Sequence, residues 1–470
     1  MQFLHKNQRV LKSLCKMSMN PDPLGDHQVS LRIQSTVYGI GLFCTSVYYM
    51  MVVIVPVFVA SLGLSYFWAG IILGCRPVLS LFFSIHAGAL MDRIGGRRVM
   101  IFFGAVGVAA PLLYPLAPIM DWIWLLIISQ MLAGMADSMG WLGAQTLIGQ
   151  HMEGRTKYTG RLSAIIRLGH IIAPIMVGVA WDHWGAWAAF GLMSFWNGGF
   201  LICALLLPKS HKITEDPNGE TANSRIGEER IRWRELLPNK SDYISAFRLL
   251  AVPAVAATVM IGMMPHVGNY VQSTFYVIWL GQNGITGTLI GILISIFSIS
   301  AACGSLLMPK LARKFSPYWL FLFVVWISIF MICITPVVSS EFVKDFMYIL
   351  LSPLNSMQNL DGITPLIALI VAFGLVLALR AVFHGIQQPL VISLILSTTE
   401  PDEQGKAIGL RATANRITSI GTPIAMGAIA DWLGLEYAFY AIGLIATLMI
   451  LLMTFYIARH PEVHTAKFNN

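Results

Sequence analysis

Uninterrupted apolar stretches of about twenty residues recur along the chain, and they constrain its fold more than any other feature. Each is long enough to cross the hydrocarbon core of a bilayer as a helix, which takes about 20 apolar residues. The stretches do not alternate polar and apolar residues over about ten positions, so an outer-membrane barrel is excluded. A soluble protein is excluded too, because 11% of the residues are charged, against roughly 25% in soluble domains.

The apolar stretches form two groups of six. The first six helices are predicted at residues 37–60, 67–91, 99–119, 122–150, 158–181 and 187–207. The second six are predicted at residues 249–280, 285–308, 317–338, 365–396, 407–430 and 437–457. The sequence therefore predicts an all-α membrane protein with a cytoplasmic arm (1–32), an N-terminal six-helix domain (33–207), a cytoplasmic linker (208–248), a C-terminal six-helix domain (249–458) and a cytoplasmic tail (459–470).

An internal repeat relates the two halves. Residues of the fifth predicted helix recur at one constant spacing in the eleventh, and the pairs include Gly160 and Gly409, Arg167 and Arg416, Pro174 and Pro423, Gly178 and Gly427, and Asp182 and Asp431. Parallel repeats of this kind place a substrate site between the two halves, near the bilayer midplane.

Charge and cysteine placement indicate the environment of the chain. Most of the 31 Lys and Arg residues fall in the arm, the linker and the loops on one side of the predicted bundle. The positive-inside rule then predicts a multi-pass protein of the cell (inner) membrane with both termini cytoplasmic. The six cysteines have no CxxC spacing, so neither a disulfide framework nor a metal site is expected. We expect no cofactor, no nucleic acid partner and a monomer in the lipid bilayer.

The loop after the second predicted helix reads Gly88-Ala-Leu-Met-Asp92-Arg93-Ile-Gly95-Gly96-Arg97-Arg98. It resembles the GxxxDRxGRR signature of the major facilitator superfamily, although Gly96 stands where a basic residue is usual. The resemblance implies that Asp92 meets a helix N-terminus across the domain interface and that this gating loop latches the cytoplasmic side shut. The alternative is an ordinary basic loop at the lipid head groups. The second copy has Met308 at the acid position, which puts a symmetric latch in doubt.

The fifth predicted helix carries a second motif. Its members are Gly160, Gly169, Ala173, Pro174, Val177 and Gly178. They resemble the Gx8Gx3GPx2GG motif of drug-proton antiporters in this superfamily, with Ala173 and Val177 in place of two glycines. The resemblance favours export, whereas the alternative is generic packing of small residues. The arginine usual in the fourth helix of these antiporters is missing, because Gln130 occupies its position.

Ionisable residues at membrane depth cost about 3 kcal/mol or more each, so they mark cavities or partners. Asp137 is the one acid far from any predicted helix end. At 1.5 Å per residue, Arg76 and His170 lie at a similar depth, and the three residues form a candidate site of proton coupling. A permanent Asp137–Arg76 pair would be structural, whereas a carboxylate whose partner leaves during the cycle would take up a proton. Both interpretations stay open.

The second half contributes polar residues at membrane depth on its seventh and tenth predicted helices. With Gln130 they form a candidate substrate cavity: Arg380, His384, Gln387, His266, Asn269 and Tyr270. The superfamily resemblance implies that these helices line the cavity. An unpaired arginine beside amides suits a carboxylate or phosphate. The alternatives are that Arg380 binds helix carbonyls and that Arg416, like Arg167, only supports packing.

Together these features predict a proton-coupled secondary transporter that moves a small organic, anionic or amphipathic solute by rocking of two domains, with export favoured. One alternative is a proton-coupled uptake symporter for an organic anion. Another is a transport-inactive receptor or scaffold. A membrane enzyme is not expected, because the sequence has neither a GxxxxGK[ST] loop for nucleotide phosphates nor an HExxH zinc motif.

Overall fold

A computed structural model of the protein describes residues 29–83, 95–152, 156–208, 214–215, 221–222, 253–358, 364–398 and 404–459. These residues are almost all helical, so the predicted all-α architecture is confirmed. Two short strands, β1 (Thr214–Glu215) and β2 (Thr221–Ala222), pair antiparallel within the predicted linker.

The described residues of the first half form six helices. They are α1 (Leu31–Ser61), α2 (Tyr66–Gly74), α3 (Val78–Phe83), α4 (Gly96–Ile119), α5 (Ile123–Met152) and α6 (Thr156–Leu206). The second predicted helix is broken between α2 and α3, because Pro77 has no backbone N–H and its ring excludes a continuous helix. The fifth and sixth predicted helices are both in α6, which bends at Gly185, where φ is +73°. Glycine adopts this conformation without a steric penalty.

The second half contains nine helices and one π-helical turn among its described residues. They are α7 (Pro253–Val271), the π turn (Gln272–Tyr276), α8 (Val277–Gln282), α9 (Gly287–Ala312), α10 (Pro317–Cys333), α11 (Thr335–Val338), α12 (Glu341–Gln358), α13 (Pro365–Thr398), α14 (Gln404–Leu433) and α15 (Leu435–Arg459). The connection after the ninth predicted helix contains α12. The sequence did not predict this helix, because Lys344 and Asp345 interrupt its apolar residues and no run is long enough to span a membrane.

Seven helices of the described residues are long and apolar enough to cross a membrane. They include 50 residues of α6, Lys157–Leu206, which comprise the arms on both sides of its bend. The other predicted crossings are shorter or carry polar residues. Arg411, Asn415 and Arg416 lower the hydropathy of α14, for example, and a proline break divides α2 from α3.

Two carboxylates at one end of the bundle cap helices of the opposite half. Asp182 of α6 accepts hydrogen bonds from the first two backbone N–H groups of α9, both at 2.8 Å. Asp431 of α14 accepts from the first two N–H groups of α2, at 2.7 and 3.0 Å. Because free N–H groups and the helix dipole favour an anion at a helix N-terminus, both contacts stabilise the junction of the halves. We call this end of the bundle the capped end.

Close backbone packing continues each junction away from the capped end. In the α6/α9 seam, a Cβ added to Gly178 would collide with the Gly287 carbonyl, and one added to Gly291 would collide with the Pro174 carbonyl. Ser295 extends this seam by donating to the Ile171 carbonyl at 2.6 Å.

The α2/α14 seam has the same construction. An added Cβ on Gly70 would collide with the Pro423 carbonyl, and one on Gly74 would lie 2.9 Å from the Ile420 carbonyl. Both seams therefore use residues that the internal repeat pairs with each other.

Candidate substrate and coupling site

A buried ion pair lies inside the first half. Arg76 occupies the break between α2 and α3, and its Nη2 donates to Oδ2 of Asp137, in the middle of α5. The two side chains are 11% and 16% exposed. Gly134, one turn before Asp137, makes the contact possible, because a Cβ there would collide with the Arg76 carbonyl. The proline break and the glycine thus bring Arg76 and Asp137 into contact. The sequence predicts only that the two residues lie at a similar depth in the membrane.

Neutral groups complete the surroundings of the Arg76 guanidinium. Gln130 accepts a hydrogen bond from Arg76 at 3.3 Å, and the Met51 sulfur lies at the same distance from its Nη1. The guanidinium carbon lies 5.2 Å from the ring centroid of Tyr48, within the range of a cation–π contact. A small cavity beside these groups is also lined by Tyr270, from the other half of the protein. Arg76 is therefore placed at the boundary between the halves.

His170 lies apart from this pair. Its ring packs on Tyr49, with 4.1 Å between centroids. Its buried Nε2 has no hydrogen-bond partner in the described part of the chain. Depth along the helix thus grouped His170 with the pair, but its side chain faces Tyr49 and not Asp137.

Arg380 of α13 lies inside the second half, where it is 1% exposed. Its Nε donates to the Ser328 carbonyl at 3.0 Å, its Nη1 donates to the Gln272 side chain, and Phe297 lies 5.3 Å below the guanidinium. A carbonyl and an amide thus hold this charge in the observed conformation. This geometry matches the packing alternative more closely than an open position on a substrate path.

The other predicted cavity residues of the second half divide between two helices. On α13, His384 shares a 3.2 Å hydrogen bond with Gln387, which also donates to the Val324 carbonyl at 3.0 Å. On α7, His266 lies 3.0 Å from the side-chain amide of Asn415, whose oxygen faces it in the orientation that satisfies both groups. Asn269 is half-buried on the same helix.

Of the gating loop, Gly88, Asp92 and Arg93 lie outside the described residues. Gly95 has a φ of +92° directly before α4. Arg97 donates to the Leu205 carbonyl at 3.0 Å and so ties the start of α4 to the end of α6, while Arg98 is exposed.

The residues of the helix-five motif pack against two different parts of the protein. Pro174 and Gly178 belong to the α6/α9 seam, whereas a Cβ on Gly169 would press on Leu42 and Ser46 of α1, within its own half. Outside its own turn of helix, no atom of the described residues lies within 4 Å of a Cβ built on Gly160.

The two arginines that the repeat pairs have different surroundings. Arg167 of α6 is exposed. Arg416 of α14 donates to the Ser80 hydroxyl of α3, on the other side of the α2/α14 seam. Arg416 is thus an interdomain contact, a role that sequence position alone did not indicate.

Asp182 and Asp431 are functional candidates that the sequence did not single out. In the sequence they stand out only as repeat partners. The available signal was their position. Asp182 lies four residues after Gly178 of the α6/α9 seam. Asp431 lies four residues after Gly427, where an added Cβ would collide with the Tyr66 carbonyl. Each carboxylate is thus one turn further along the same helix face.

We expect the removal of one member of the Arg76–Asp137 pair to lower the free energy of unfolding strongly. Arg76→Ala leaves a buried carboxylate without a partner, which costs about 3–5 kcal/mol. Removing both side chains in Arg76→Ala/Asp137→Ala should cost less than the sum of the single changes, because coupled residues are not additive. Denaturant unfolding in mixed micelles measures these differences. Glu341→Gln is the control, because Glu341 is 83% exposed in its pair with Lys344 and should contribute about 0–1 kcal/mol. Equal losses of unfolding free energy in Arg76→Ala and Glu341→Gln would contradict the expectation.

The described helices, the two seams and the buried ion pair define a multi-pass helical membrane protein built of two halves. The sequence profile of the Major Facilitator Superfamily matches residues 37–357 and 266–469. The chain belongs to this superfamily.

Individual relatives are distant. The tetracycline resistance protein, class E, of Escherichia coli is 24% identical over 237 residues, covering 50% of this chain and 53% of that protein. The uncharacterized MFS-type transporter YhhS of Escherichia coli (strain K12) is 24% identical over 201 residues, covering 40% and 48%. The matches thus span about half the length of these relatives.

Solved structures are similar over the whole fold. The nucleoside transporter NupG has a TM-score of 0.66 at 12% identity, covering 90% of this chain and 99% of that chain. The peptide transporter POT in complex with sulfate has a TM-score of 0.63 at 14% identity, covering 93% and 96%. At these identities the similarity establishes the fold and not the substrate.

Proposed function

We propose that this protein is a secondary active transporter that moves a small organic solute by alternating access and couples the movement to protons. The observation that carries the proposal is the buried Arg76–Asp137 pair at the boundary between the halves. Asp137 is the one carboxylate in the described helices that lies far from both a helix end and the bend of α6 at Gly185. Such a group is costly in a membrane protein and is retained where it serves a function.

The chemistry of the pair suits coupling. While Asp137 is ionised, its charge is balanced by Arg76. When a proton binds a carboxylate oxygen, Asp137 becomes a neutral acid and the charge-assisted bond is lost. Gln130 still accepts from Arg76, but the guanidinium regains a free charge beside the cavity. Protonation of Asp137 and binding of a substrate group to Arg76 are therefore coupled, because both depend on the same arginine.

The alternating movement takes place at the two seams, α6/α9 and α2/α14. In this conformation both are closed at the capped end by Asp182 and Asp431. On the other side of the Ile171–Ser295 contact, Arg167 and Ile299 are exposed, which supports an opening toward the opposite end. With both termini cytoplasmic, as the basic loops favour, this conformation faces the cytoplasm of a cell with the protein in its inner membrane.

Two transport directions are each supported by an observation. Export is favoured by the helix-five motif and by similarity to a tetracycline resistance protein. Uptake of an organic anion with protons is the second candidate. It is supported by Arg411 and Arg416, which have no carboxylate within 4 Å among the described residues.

Proteoliposomes with an imposed pH gradient test the function and the direction. Thermal-shift screening of the purified protein against drugs and organic acids supplies the solute. We expect the solute to move against its own gradient when protons flow the opposite way, which is export by exchange. Movement together with protons would establish uptake by symport. Solute binding without any flux in either direction would refute transport and leave a receptor.

A further inference from the structure

Helix α12 joins the ninth and tenth crossings at the capped end. The chain leaves this end in α9, which Asp182 caps, and returns to it through α10 and α11. Helix α12 begins three residues after Val338, the last residue of α11. It is thus placed at the level where the surrounding helices end.

One face of α12 packs on the bundle. Met347 is buried, and Val343 and Leu351 are partly buried against the apolar core. Their spacing of four residues places them on one side of the helix. This face fixes the rotation of α12 about its axis.

A second face is apolar and uncovered by the described residues. Phe342 is 79% exposed, Phe346 57%, Ile349 69% and Leu350 60%. These four residues also lie on one side, at intervals of one, three and four residues. A contiguous group of large apolar side chains marks an interaction surface.

The third face is polar. Glu341, Lys344 and Asp345 lie on it, and Lys344 binds Glu341 at 2.9 Å. At about 100° per residue, the three faces are centred roughly 120° apart around the helix. Protein, apolar surroundings and water would each meet one face, an arrangement that fits a helix lying in the membrane interface and not a helix surrounded by water.

Aromatic residues mark the interface level at the same end. Several tryptophans close to the capped end are more than half exposed, namely Trp122, Trp124, Trp184, Trp187 and Trp432. Tryptophan collects at the head-group level of membrane proteins. Trp279 donates to the Ser339 hydroxyl at 3.1 Å, two residues before α12, so an indole also holds the start of this helix.

We propose that α12 lies in the plane of the membrane interface at the capped end and inserts Phe342, Phe346 and Ile349 into the boundary between head groups and acyl chains. The partner of this surface is bilayer lipid. Exposed apolar side chains also occur on two helices that contact α12, where Val337 of α11 is 47% exposed and Leu366 of α13 is 40% exposed. Amphipathic helices bind at this depth through their apolar face and keep the polar face in water. The proposal does not depend on the direction or the substrate of transport.

Three consecutive positions test the proposal, because successive residues turn by about 100°. Asp345→Cys, Phe346→Cys and Met347→Cys are labelled with a nitroxide in a variant without the six native cysteines. The protein is reconstituted in phosphatidylethanolamine–phosphatidylglycerol vesicles, and power saturation compares access of oxygen, which concentrates in lipid, with access of a water-soluble nickel complex. Phe342→Cys provides a second site on the apolar face.

We expect oxygen access to exceed nickel access several-fold at positions 346 and 342, with the reverse order at 345 and little access of either reagent at 347. Nickel access that dominates at 342, 345 and 346 alike would overturn the proposal, since α12 would then stand in water. Low access of both reagents at 342 and 346 would also overturn it, because a protein partner or a second copy would then cover the face.

Discussion

Asp137→Asn is expected to reduce solute accumulation driven by a pH gradient to the level of protein-free vesicles. The amide has the size of the carboxylate and can still accept a hydrogen bond from Arg76, but it cannot take up a proton. Exchange of labelled for unlabelled solute at equal pH should persist, because that reaction needs no net proton movement. Transport assays in proteoliposomes with and without a pH gradient separate the two results.

The control for this change is Asp121→Asn. Asp121 is exposed in the turn between α4 and α5 and has a φ of 54°, a conformation that asparagine tolerates well. It should retain gradient-driven accumulation. Undiminished accumulation in Asp137→Asn would show that the ion pair is structural. Loss of both accumulation and exchange, with intact insertion, would instead assign Asp137 to the transport cycle without showing that it carries the proton.

Gly178→Ala is expected to prevent full closure of the α6/α9 seam. The added methyl group would collide with the Gly287 carbonyl oxygen, a backbone atom that cannot move aside by changing rotamer. Overpacking of this kind costs about 1–3 kcal/mol, which shifts a two-state population by roughly 5- to 150-fold. Turnover should fall accordingly, because the closed seam is one of the two states of the proposed cycle.

Distances between spin labels at Asp121→Cys and Glu436→Cys measure this shift, since both sites are exposed at the capped end in opposite halves. Gly178→Ala should lengthen the distance relative to the parent protein. Gly191→Ala is the matched control in the same helix, because a Cβ built there has no neighbouring atom within 4 Å in the described part of the chain. An unchanged distance in Gly178→Ala would mean that the seam tolerates the methyl group and does not limit closure.

Much of this architecture follows from local sequence. Apolar length predicts the crossings, and the proline and glycine positions explain the breaks between α2 and α3 and within α6. Depth along a helix placed Arg76 and Asp137 at one level. The helix α12 was missed because amphipathic character does not appear as an apolar run. His170 was grouped with the pair because depth carries no information about which way a side chain points.

The sequence by itself determined that this chain is a duplicated helical membrane protein with one acid and several arginines at membrane depth, because these properties depend on length, hydropathy and spacing. Only the tertiary structure decided that Asp182 and Asp431 cap helices of the opposite half, that Arg380 is held by a carbonyl and an amide, and that Asp137 binds Arg76. These contacts depend on the rotation of each helix about its axis and on how closely helices approach each other. Neither can be read from the sequence of one helix.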